Sequence, residues 1–206
     1  MAHPIRFMRA CSMLAVVLTA GVSLAAVKFT STWAAPDAAS VSFKGQKVVA
    51  LVMSDDMSLR MSAEEALTRE LSARGMQGVA AYRVIPREEL KDPEKAKGWF
   101  EREAITGMVA LRPVSQEKVK RYGPDIWTGP SYATLWGFYP YGWTTVYVAG
   151  SNRTDTIIVV ESLIYQVSTG KLLWAGVSEA TNPKSLQALV ADIVKEAAEK
   201  IRKQFR

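Results

Sequence analysis

The chain has 206 residues, with 26 Lys+Arg against 20 Asp+Glu and a formal charge of +6. That length suits one well-buried domain and is short for two. Its single His and single Cys, His3 and Cys11, both lie in the first 25 residues. A chain that loses those residues therefore excludes disulfides, Cys nucleophiles, thiolate or imidazole zinc sites, and every Ser-His-Asp or Cys-His arrangement.

In chain order, Arg6 and Arg9 precede an apolar run from Met13 to Ala26, and Ser23-Leu24-Ala25 presents small residues to a signal peptidase. Residues 1–25 are expected to act as a signal peptide for export to the periplasm. Retention as a membrane anchor is the alternative, because the run approaches the shortest span of a bilayer. Removing Arg6 and Arg9 leaves a charge of +4. No compact basic run suggests nucleic acid, whereas loose peripheral contact with anionic head groups or cell-wall polymers suits this charge.

Residues 26–42 are small and polar and read as a linker, so that a single α/β domain occupies 43–206. Gln46 to Ser54 is a continuous apolar strand of the kind covered on both faces. Ser62-Ala-Glu-Glu65 reads as a capping box opening a helix whose Ala66, Leu67 and Leu71 share a face before Gly75 ends it. The turn between them, Ser54 to Arg60, lacks the glycines of a phosphate cradle and carries Asp55 and Asp56. Adjacent carboxylates seldom point into one site, so neither a metal nor a cofactor is expected there.

Gly78 to Ile85 reads as the next strand, stopped by Pro86. Arg87 to Ala104 holds a helix anchored by Trp99 and Phe100, and Ile105 to Val114 returns to strand. Pro113 assigns the end of that strand to an edge or a bulge. Residues 144–149 form a short strand. Thr156 to Thr181 is a β-hairpin turning at Ser168-Thr169-Gly170-Lys171, where Gly170 supplies the positive φ. Apolar residues on both parities of its first strand call for layers on both faces. Asn182-Pro183 caps a last helix with Leu186, Leu189, Val190, Ile193, Val194, Ala197, Ile201 and Phe205 on a 3.6-residue period.

Between these elements, residues 122–143 form an expected loop dense in aromatics. Tyr122 to Tyr147 holds three of the six Trp and five of the seven Tyr, interspersed with Gly and Pro that oppose a regular helix. Two readings stand. The rings fold back as a satellite core, or Trp127, Trp136, Phe138, Tyr139, Tyr141 and Trp143 form a contact surface for a partner. The one acid inside an apolar strand is Glu161. It either pairs with Arg112 or Arg83 from neighbouring strands, or serves acid/base chemistry on cell-wall glycan with Asp125 as its second carboxylate.

The segment Ile164 to Trp174 resembles one blade motif of quinoprotein-type propellers, but a single copy flanked by helices is no propeller. From about Gln46 to Phe205 the element order resembles a group of uncharacterised bacterial envelope proteins, often lipoproteins. It is similar more distantly to the curli-secretion lipoprotein, the N-terminal domain of the Tol-Pal translocation protein and the penicillin-binding-protein activator lipoproteins. The resemblance implies a Rossmann-like envelope domain, a mixed central sheet with a C-terminal β-hairpin and helices on both faces. It further implies a non-enzymatic periplasmic binding or adaptor role, with an envelope protein or cell-wall component as partner. A lipid-accepting cysteine after the apolar run is missing here, since Cys11 precedes it.

Overall fold

The computed structural model describes residues 27–114, 124–144, 151–152 and 155–204. The expected signal segment and residues 145–149 of the expected short strand lie outside them. Strand β2 (Lys47–Val52) has Val48 to Val52 buried without a break, as an interior strand requires. Chain flow from β2 runs through α1 (Met57–Ala73) to the parallel strand β3 (Gln77–Ala80) on one side. It then passes through α2 (Ala81–Val84) and α3 (Pro93–Arg102) to β4 (Gly107–Val114), parallel to β2 on the other side. Right-handed crossovers in opposite directions put α1 and α3 on opposite faces. Leu67 and Leu71 of α1 accordingly pack with Val48, Ala50 and Val52, while Ala96 and Phe100 of α3 pack with Val49 and Leu51.

The chain next forms α4 (Pro124–Trp127), α5 (Pro130–Ala133) and α6 (Leu135–Gly142), then the two-residue β5 (Ser151–Asn152). The hairpin β6 (Asp155–Gln166) and β7 (Lys171–Thr181) follows, closed at Gln166 and Lys171 with Gly170 at φ 68°. Helix α7 (Leu186–Gln204) packs beside α1 through Leu189, Val190, Ile193 and Ala197. With β1 (Val27–Ala34), the strand order is β1-β7-β6-β4-β2-β3, and β5 pairs with β6. The fold is a mixed α/β sheet with helices on both faces. Among the described residues no helix is long and apolar enough to cross a membrane.

Several boundaries depart from expectation for local reasons. Residues 27–34 belong to the sheet and not to a linker, pairing antiparallel with β7 from Val27 opposite Ala180 to Ala34 opposite Trp174. A short alternation was hidden in a polar average: Val27 and Phe29 point inward, and Phe29 meets Trp174 edge-on at 5.5 Å. Asp37, beyond this strand, pairs with Lys171 at the hairpin turn. Helix α1 is capped by Asp56, whose carboxylate accepts from Leu59 N at 3.0 Å, six residues before the expected box. Helix α7 starts after Ser185, whose hydroxyl accepts from Ala188 N at 3.1 Å. Asn182, with φ 49°, instead accepts from Thr156 N and closes the open end of the hairpin.

Pro113 is tolerated in an inner strand because of where its nitrogen points. Leu111 O accepts from Met53 N, so the main chain at 111 and 113 faces β2, whose last paired residue is Val52. No ladder bond is lost there.

Strand β3 ends at Ala80, short of Ile85, because a buried carboxylate captures the amide of Tyr82. Glu64 of α1, fully buried, accepts from Tyr82 N at 2.8 Å and from Val52 N at 3.1 Å. Burial pushes its carboxyl up from the ordinary 4.5 to about 7, the two amides and Arg60 holding back part of the rise. The native state thus binds a proton between pH 4.5 and about 7 that the unfolded chain has released, so stability falls as pH rises through that window. The loss is on the order of 3 kcal/mol. Urea unfolding across this range should show the slope in the wild type and a much shallower one in Glu64→Gln. An unchanged slope in the variant would assign the dependence to another group.

Candidate functional site

The face of the sheet that carries α3 also receives the aromatic segment. Helices α5 and α6 each begin where an extended residue breaks the chain: Gly129 before α5, with Pro130 at its first position, and Thr134 before α6. Thr134 Oγ1 accepts from Gly137 N at 3.1 Å, and Leu135 N donates to Gly170 O at 2.6 Å, tying α6 to the hairpin turn. Gly and Pro therefore divide the segment into short helices; the expected loop is a folded layer. Tyr139 OH donates to Leu90 O at 2.8 Å and Tyr165 OH to Tyr132 O at 2.9 Å. Phe138 stacks between Tyr132 at 5.4 Å and Tyr165 at 5.6 Å.

Beneath this layer lies the strand acid. Register sets Glu161 of β6 opposite Arg112 of β4, and Arg112 Nη2 approaches Glu161 Oε2 at 2.5 Å with both side chains essentially unexposed. Trp127 Nε1 donates to Glu161 Oε1 at 2.9 Å, and Arg112 Nη2 donates to Tyr132 OH at 2.7 Å. The guanidinium also lies 5.1 Å from the Tyr141 ring and 5.7 Å from that of Phe138. Burial pushes the Glu161 carboxyl up, while Arg112, Trp127 and Tyr132 pull it back down. Of the two arginines expected as partners, Arg83 is on α2 and pairs with Glu65 at 2.8 Å.

The six rings expected as a contact surface divide. Trp127, Phe138 and Tyr139 are completely buried, and Trp136 and Trp143 are half-buried against the core. Tyr141 alone is exposed, at 39%. Five of the six rings expected as a contact surface therefore pack into or against the core, and Tyr141 remains at the surface. Asp125, expected as the second carboxylate, is exposed, and the partners of Glu161 are Arg112, Trp127 and Tyr132. Asp55 pairs with Lys91 while Asp56 caps α1, so the adjacent acids face different tasks.

The opposite face holds an apolar concave surface. Between α1 and α7, at the carboxyl ends of β2 and β4, Leu59, Ala63, Ile158, Leu186, Leu189 and Ile193 line a cavity of about 90 Å³. It widens past Thr156, Asn182 and Ser185 into a hollow of about 500 Å³, and among the described residues no titratable side chain lines either part. Sequence reasoning missed this cleft, because it arises from two helices more than 100 residues apart. It also missed Glu64, although Arg60, Glu64, Leu67 and Leu71 form one helical stripe in which a charge is legible as buried.

Two measurements check the assignments on the aromatic face. Phe138→Ala should cost about 3–5 kcal/mol in urea unfolding, whereas Tyr141→Ala should cost about 1 kcal/mol or less; equal small losses would return the layer to the surface. Arg112→Met should cost about 3–5 kcal/mol by stranding the Glu161 charge, and adding Glu161→Leu should restore most of it. Additive losses in that double-mutant cycle would mean that the two side chains are not coupled.

No protein-family model matches the sequence, and no curated protein matches it. Among solved structures the chain is similar to a PelC dodecamer from Paraburkholderia phytofirmans, at 12% identity and TM-score 0.44, covering 84% of this chain and 94% of that one. A variant of the same dodecamer gives 14% and 0.45 with the same coverage. Lipoprotein GNA1162 from Neisseria meningitidis gives 16% and 0.39, covering 77% of this chain and 99% of that one. Likenesses at this level carry no argument for what the chain does.

Proposed function

We propose that the chain is an exported, non-enzymatic binding domain of the bacterial cell envelope, working in the periplasm on an envelope protein or cell-wall component. The observation that carries this reading is the separation of its acid from its cleft. Glu161 and Arg112 are sealed on one face of the sheet, and the apolar cleft between α1 and α7 lies on the other, lined by no titratable group among the described residues. A hydrolase centred on Glu161 needs that carboxyl in contact with a glycosidic oxygen and a second carboxyl across the bond. An apolar, uncharged cleft instead supplies burial without chemistry. The apolar run from Met13 to Ala26 supports the assignment to the envelope.

The test is co-sedimentation of the purified chain with isolated envelopes and with cell-wall sacculi, alongside an assay for released reducing ends. Binding without release, reduced by Leu186→Asp in the cleft, is the expected outcome. Release that is lost in Glu161→Gln while the melting temperature is kept would replace the binding domain with a hydrolase.

A further inference from the structure

A second hollow, of about 460 Å³, opens at the corner of the sheet where β3 stops after four residues and α2 takes its place. Three arginines line it, Arg60 from α1, Arg83 from α2 and Arg87 just beyond, with Tyr82, Trp99 and Glu103. Their charges are unequally matched. Glu103 lies 3.6 Å from Lys47, and Arg83 is engaged by Glu65 at 2.8 Å. Arg87 is exposed and has no ion-pair partner among the described residues.

Arg60 is the unusual member. It is only 5% exposed, yet its Nε has no hydrogen-bond partner. Its Nη2 is directed at the thioether of Met57, 3.3 Å away and a weak acceptor. Glu64 is its nearest acid at 3.8 Å, but both carboxylate oxygens of Glu64 already accept main-chain amides. A buried guanidinium with donors left over calls for an acceptor. The hollow it lines is rimmed by further guanidinium groups and by two aromatic walls, and the Trp99 ring is held by Glu89 at 2.7 Å and by Arg102 stacked at 3.9 Å.

We propose that this hollow binds the oxyanion of a small acidic ligand, a carboxylate or a phosphate, whose body lies against Tyr82 and Trp99. Arg60 supplies the buried donors and Arg87 the exposed one, and guanidinium forks match both oxyanions in geometry. This site is separate from the cleft between α1 and α7, and it stands or falls independently of the envelope-binding reading.

The test is calorimetric titration of the full chain with sodium phosphate, sodium glucuronate and glucose at constant ionic strength. At least one anion should bind saturably and glucose should not. Phosphate alone would identify a phosphate ester as the ligand class, glucuronate alone an acidic sugar. Arg87→Ser, an exposed change that leaves the ligand-free melting temperature unaltered, should weaken binding about tenfold or more, and Arg60→Met should abolish it. Lys28→Ser, on β1, should bind as the wild type does. Absence of saturable binding, wild-type affinity in Arg87→Ser, or an equal loss in Lys28→Ser would each overturn the proposal.

Discussion

An arginine and a glutamate facing one another across the β4–β6 ladder set the constraint to which this molecule answers. A buried ion pair adds little net stability, because two desolvation costs offset its attraction. Its effect is positional. The pair is tolerated only if water is kept out and its other donors and acceptors find partners, and the Trp127 indole and Tyr132 hydroxyl supply two of them from residues far along the chain. The aromatic segment is thereby assigned to one face of the sheet, where Phe138 and Tyr139 complete the core begun by α3.

The other face follows different rules. Helices α1 and α7 lie on it through aliphatic side chains, and where they part above the ends of β2 and β4 an uncharged cleft remains. Its charged counterpart is at the sheet corner. Glu64 ties α1 to β2 and to the first turn after β3, and in doing so uses the oxygens that would otherwise satisfy Arg60. The two buried pairs therefore differ in closeness: Arg112 meets Glu161 directly at 2.5 Å, whereas Arg60 stands 3.8 Å from a carboxylate already taken by two amides.

This arrangement divides labour between surfaces. The strand acid Glu161 is buried from solvent, whereas one hollow among the described residues is apolar and another is rimmed by arginine.

Much of the scaffold is legible from residues alone. The runs at Lys47–Val52 and Gly107–Val114, the Gly170 hairpin and the amphipathic last helix declare themselves because local periodicity and turn chemistry are properties of neighbours in sequence. Pairing of Glu161 with an arginine from a neighbouring strand was legible too, since a charge in an apolar strand needs a partner. Which arginine answered depended on strand order, and only tertiary structure makes β4 rather than the end of β3 its neighbour. Strand β1 was lost in a polar average because its stability comes from Trp174, more than 140 residues away. The aromatic segment shows the same limit: composition identified the density of rings, but whether a ring faces solvent or core is set by what lies beneath it. Here that was a charge pair to be kept dry, and no local pattern in residues 122–143 encodes it.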